Sequence, residues 1–94
     1  MNITIHYEAQ LRNVAGVGRE TLVLPDGGTL LELLRRAAEV HGSALQERLL
    51  DATGAPLPSV LMFVNDLPVT PDAAASRVLR TGDTVLLYPP ISGG

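Results

Sequence analysis

One amphipathic stretch governs what this chain can fold into. Leu30, Leu33, Leu34, Ala37 and Ala38 recur at i, i+3, i+4, i+7 and i+8, with Glu32, Arg35, Arg36 and Glu39 on the opposite side, so the spacing predicts a helix over residues 29–41. Thr29 followed by Glu32 forms a capping box at its start, and Gly42 suits its end. No other stretch has this length and period. A single such helix covers only one face of a sheet, which leaves the other face to solvent or to a partner.

The remaining apolar segments read as strands. Ile3, Ile5 and Tyr7 alternate with Thr4, His6 and Glu8, the period of a half-buried strand. Residues 13–18 read as a loop with two glycines, and 20–24 as a second strand antiparallel to the first, stopping at Pro25-Asp26-Gly27-Gly28. Residues 43–50 suit a further short helical stretch and 53–58 a loop. Val60–Val64 is apolar throughout, Asn65-Asp66 turns the chain into Leu67–Thr70, and Pro68 marks that short strand as an edge. An Ala-rich bridge and a Gly82-Asp83 turn lead to a last strand, Thr84–Tyr88. The expected fold class is α+β, a mixed four- to five-stranded sheet with one main helix packed on one face. Leu61 and Phe63 alternate with Val60, Met62 and Val64, and Leu86 and Tyr88 with Val85 and Leu87. Each of these strands is apolar on both faces, so one set must lie away from the helix.

Ninety-four residues make one domain, and 46% apolar with 18% charged residues exclude a disordered tail. Ten acidic against seven basic side chains, with one Phe and two Tyr, offer neither a phosphate-binding field nor a base-stacking platform, so nucleic acid is not an expected partner. There is no cysteine, hence no disulfide, thiolate nucleophile or cysteine-ligated metal. No membrane span or leader pattern is visible, and the expected location is cytoplasmic.

Side-chain catalysis finds little support. His6 and His41 stand alone without a metal-ligand spacing, and no metal site is expected. Asp26–Thr29 lacks the Gly-Lys-Ser/Thr of a phosphate loop and reads as a turn and a cap. Glu32, Glu39 and Glu47 read as a wet helical surface. Arg12, Arg77 and Arg80 read as surface cations, with a partner-facing patch as the alternative.

The informative feature is the run Tyr88-Pro89-Pro90-Ile91-Ser92-Gly93-Gly94. Two prolines stiffen the departure from the last strand. Glycines without Cβ allow an extended backbone to thread a narrow channel in another protein. A glycine carboxylate, once activated, has no stereocentre to racemise and little bulk around the acyl carbon.

With Val64-Asn65 before a turn and Gly82-Asp83 before the last strand, this end resembles the MoaD/ThiS family of ubiquitin-like sulfur carriers over essentially the whole chain. Pro89–Gly94 is most similar to the MoaD branch, the small subunits of molybdopterin synthase, as is Ala9-Gln10-Leu11-Arg12. Residues 45–58 depart from short members of that branch, and Leu45–Asp51 is similar to carriers that donate sulfur for cysteine synthesis.

The resemblance implies a β-grasp domain over 1–90 and a flexible tail over 91–94. It implies that the Gly94 carboxylate is adenylated with ATP and magnesium by a MoeB/ThiF-type activating enzyme and then thiocarboxylated from a sulfur donor. No cofactor is bound by the carrier itself. Phe63, Leu86 and Tyr88, together with Arg12, would meet the activating enzyme and a MoaE-type large synthase subunit, while Pro89, Pro90, Ile91, Ser92 and Gly93 deliver Gly94. The expected product is sulfur for molybdopterin. Alternatives are a carrier for cysteine or thiamine synthesis, a protein modifier joined to lysines, and a noncovalent interaction module. All seven basic residues are arginine. A GC-rich coding sequence explains this most simply, although a chain without Lys or Cys side chains is also one with no side-chain amine or thiol to attack its own activated carboxyl.

Overall fold

The computed structural model describes residues Met1–Pro90. Ile91, Ser92, Gly93 and Gly94, and with them the expected tail, lie outside the described residues. The elements are β1 (Asn2–Tyr7), α1 (Gln10–Ala15), β2 (Arg19–Val23), α2 (Leu30–His41), α3 (Ser43–Leu49), β3 (Leu61–Val64), β4 (Leu67–Val69), a 3-10 turn (Pro71–Ala73) and β5 (Thr84–Tyr88). The sheet order is β2-β1-β5-β3-β4, with β1 and β5 parallel and every other pair antiparallel. This is the expected mixed sheet, with five strands, and Pro68 does lie on an edge strand.

Period and cap account for the main helix. Leu30, Leu33, Leu34, Ala37 and Ala38 are all buried, facing Ile3, Ile5 and Tyr7 of β1, Leu22 of β2, Met62 and Val64 of β3, and Val85 and Leu87 of β5. The Thr29 hydroxyl accepts the Glu32 N–H at 3.3 Å and donates to the Glu32 carboxylate at 3.4 Å. Gly42 ends α2 at φ 91°, a conformation that favours glycine. Gly28 is needed for a different reason: a Cβ there would lie 3.0 Å from the Pro25 carbonyl oxygen and 3.2 Å from Met1 Cε.

Several boundaries depart from the sequence reading, among them Val60 and Thr70, which lie just outside β3 and β4. The loop expected at 13–18 begins inside α1, a helix of six residues held by Leu11, which is fully buried, and closed by the Gly16 N–H donating to the Arg12 carbonyl at 2.9 Å. Strand β2 begins at Arg19 instead of Glu20; Leu24 lies past its end, yet its N–H still donates to the Met1 carbonyl at 2.9 Å. The segment after α2 closes one end of the core through Leu45, Leu49 and Leu50. Beyond it, one Asp51 carboxylate oxygen accepts from the Thr53 hydroxyl at 2.6 Å, the Thr53 N–H at 2.8 Å and the Ala55 N–H at 3.1 Å. These bonds hold its carboxyl below the usual range.

Candidate functional site

Alternation decides which side chains the sheet leaves uncovered. Met62 and Val64 of β3, and Val85 and Leu87 of β5, go to the helix, so Leu61, Phe63, Leu86 and Tyr88 emerge on the opposite face. The antiparallel β3–β5 register sets Leu61 opposite Tyr88 and Phe63 opposite Leu86. The Phe63 and Tyr88 rings meet edge to face, with centroids 5.7 Å apart and planes at 79°. Such a pair contributes about 0.5–1.5 kcal/mol beyond its buried area. Phe63, Leu86 and Tyr88 are half-buried and Leu61 is 42% exposed, although the helix side of the same strands is sealed. The structure therefore brings together the three apolar residues singled out in the sequence.

The chain leaves β5 beside this patch. Pro89 is buried and Pro90 exposed, so the backbone quits the fold between them. Because β1 and β5 run parallel, α1, which follows β1, belongs to the same end of the sheet. Arg12 is thereby at the end where the chain departs, exposed and 3.8 Å from the Glu8 carboxylate. Arg77 and Arg80 precede β5 and lie at the other end, lining a cleft of about 540 Å³ with Asn65, Ser76 and Asp83. The three arginines do not form one patch.

Asn65 and Asp83 lock the turn that positions Phe63 to the turn that positions Leu86. Asn65 and Asp66 both have positive φ, 49° and 69°, as a two-residue hairpin between β3 and β4 requires. The Asn65 amide donates to Asp83 at 2.8 Å and its carbonyl oxygen accepts the Thr84 N–H at 3.0 Å, while the other Asp83 oxygen accepts the Arg80 N–H at 2.8 Å. Partial burial pushes the Asp83 carboxyl upward. The Asn65 and Arg80 hydrogen bonds, with the Arg77 and Arg80 charges, outweigh that and hold it below the usual range. Stability from a lowered carboxyl is complete above its unfolded-state pKa and is lost as pH falls through the folded-state value. Asp83→Asn is therefore expected to melt below the parent protein at neutral pH, with the gap closing under acid; a pH-independent gap in thermal unfolding would contradict this.

Sequence reasoning missed a polar cluster on the helix side. Tyr7 donates its hydroxyl to the Glu20 carboxylate at 2.6 Å, and His41 Nε2 contacts the same carboxylate oxygen. Burial, then the hydrogen bond to Glu20 and that carboxylate's charge, push the Tyr7 phenol far above its ordinary value. The cluster ties β1, β2 and the end of α2 together and faces away from the open patch. Among the described residues no group of three or more His, Asp or Glu is placed to hold a metal ion, and no helix is long and apolar enough to cross a membrane.

Residues 5–94 match the sequence profile of the ThiS family. The molybdopterin synthase sulfur carrier subunit of Chlamydomonas reinhardtii is 32% identical over 94 residues, covering all of both chains. The crystal structure of SAMP1 from Haloferax volcanii shares the ubiquitin-like β-grasp fold, with a TM-score of 0.88 at 23% identity and full coverage of both chains. A chain of the Amycolatopsis orientalis BexX/CysO complex matches with a TM-score of 0.72 at 25% identity, covering 98% of this chain and 99% of that one.

Proposed function

The chain belongs to the ThiS family of ubiquitin-like sulfur carriers, and from that premise we propose that it carries sulfur as a thiocarboxylate on Gly94 for molybdopterin synthesis. The observation that carries this reading is the uncovered apolar half of the sheet, lying beside the point where the chain leaves β5. A partner docked on Phe63, Leu86 and Tyr88 receives whatever follows Pro90. The family match runs through Gly94, and the identity to the Chlamydomonas reinhardtii subunit supports the molybdopterin branch.

No side chain of this protein performs the chemistry. In the activating enzyme, of MoeB/ThiF type, a Gly94 carboxylate oxygen attacks the α-phosphorus of magnesium ATP and diphosphate leaves. A sulfide-level sulfur nucleophile from the donor then attacks the acyl carbon and AMP leaves, which gives the thiocarboxylate. On the large synthase subunit the sulfur passes to the pterin precursor, and hydrolysis returns Gly94 to the carboxylate. Gly93 and Gly94 add no Cβ to the channel the chain must thread, and Pro89-Pro90 stiffen the departure from β5. In this reading Arg12, at the same end of the sheet, meets a carboxylate at the partner's rim.

Intact-mass measurement tests this after incubation with ATP, magnesium, the host's activating enzyme and a sulfur source. The expected result is the mass change for one oxygen replaced by sulfur; an unchanged mass with an active enzyme would refute carrier chemistry. The segment 45–58, whose Leu45–Asp51 is similar to carriers that donate sulfur for cysteine synthesis, favours a second reading, sulfur delivery for that pathway. Reconstitution separates the two: efficient sulfur transfer to an activated serine derivative, with no dithiolene formed alongside a large synthase subunit, would move the assignment.

A further inference from the structure

The chain as a whole is acidic, yet its five strands contain a single carboxylate. That carboxylate, Glu20, faces the helix side and is engaged by Tyr7 and His41. Charge is therefore sorted between the two faces. The register shows how: His6 pairs with Arg19 of β2 on one side and with Leu86 of β5 on the other, Leu86 pairs with Phe63, and Phe63 with Pro68. Directly paired residues project from the same face. Arg19, His6, Leu86, Phe63 and Pro68 thus form one line across all five strands, nitrogen-bearing over β2 and β1 and apolar from β5 to β4.

Arg19 is exposed and His6 half-buried, and neither belongs to an ion pair among the described residues. Glu8, just past the end of β1, is engaged by Arg12 at 3.8 Å. Covering the apolar half with a partner also takes water away from the adjoining cation. That is unfavourable unless the partner supplies an opposite charge. A basic partner surface would be repelled here, and an acidic one would be turned away from Glu32 and Glu39 on the outer side of α2.

Resting on the reading of this face as the docking surface, we propose that Arg19, with His6 beside it, is the charge-selective half of the interface, and that it selects a protein surface whose apolar patch is flanked by carboxylates on the β2 side. The apolar half supplies affinity. The cationic half sets orientation and encounter rate.

Titration of the activating enzyme with the full chain, at low and at high salt, tests this. Arg19→Glu is expected to weaken binding about tenfold at low salt, mostly through the on-rate, with the difference shrinking as salt screens the charges. Arg19→Lys is expected to bind like the parent, and Arg19→Ala, which adds no new charge, to show a smaller loss of the same salt dependence. Phe63→Glu is expected to weaken binding at both salt concentrations. Parent-like binding by Arg19→Glu alongside a weakened Phe63→Glu would overturn the proposal while sparing the docking face, as would an Arg19→Glu loss that salt does not diminish. Parent-like binding by Phe63→Glu would remove the docking face and the proposal together.

Discussion

Adding one residue after Gly94, or deleting Gly94, is expected to abolish thiocarboxylate formation and leave thermal unfolding unchanged. Among the described residues the last buried position is Pro89, and every residue of the helix-facing core lies at or before Leu87. That core is therefore assembled from residues well before the one changed. On the proposed carrier reading an added residue displaces the carboxylate from the position at which the activating enzyme would adenylate it, and adds a Cβ where Gly93 and Gly94 have none. Intact mass after incubation with ATP, magnesium, activating enzyme and sulfur source reads the outcome directly. An extended chain that still exchanges oxygen for sulfur would falsify the carrier reading, and an extended chain that fails to fold would show that the end of the chain is part of the structure.

The second large effect is a contrast between neighbouring strands. Leu87→Ala is expected to cost about 2–5 kcal/mol of stability, because Leu87 is fully buried beneath α2 and its truncation leaves a cavity. Phe63→Glu, on the opposite face, is expected to change stability far less but to weaken activating-enzyme binding by about 2 kcal/mol or more, the loss typical of a buried aromatic anchor. Denaturant unfolding and a binding titration on both variants separate the roles. If Phe63→Glu unfolds the protein with no distinct binding defect, the ring belongs to the core and the outward face serves no partner.

The main helix and both faces of β3 and β5 were legible in the sequence because their signals are periodic and long: the buried residues of α2 are the five that spacing selects. The sulfur-carrier family was legible from residues 88–94 with the Asn65 and Asp83 turns. Their structural reason was not, since the hydrogen bonds joining Asn65 to Asp83 and Thr84 link two turns far apart in the chain. Helix α1 escaped because six residues with one buried side chain, Leu11, carry no measurable period. The Tyr7–Glu20–His41 cluster escaped for another reason. Each member is ordinary in its own segment, a strand tyrosine, a strand glutamate and a helix-end histidine, and only the β1–β2 pairing beneath α2 makes them neighbours. Charge sorting on the sheet was hidden in the same way, because Arg19 and Glu20 are adjacent in sequence and separate only when alternation sends them to opposite faces.

The parallel pairing of β1 with β5 also bears on how the protein is made. Ile5 pairs with Val85 across most of the chain, and β5 is the central strand although it is the last of the five to be synthesised. Until residues 84–88 exist, the β2-β1 and β3-β4 pairs have nothing between them, and the apolar side chains of β1 lack their neighbour. Such long-range pairing closes a loop of most of the chain before its contacts reward it, which slows folding. Phe63 and Leu86 come side by side only in a chain whose fifth strand has been inserted, so a partner docking on them, as proposed, would meet the assembled sheet and not its separate hairpins.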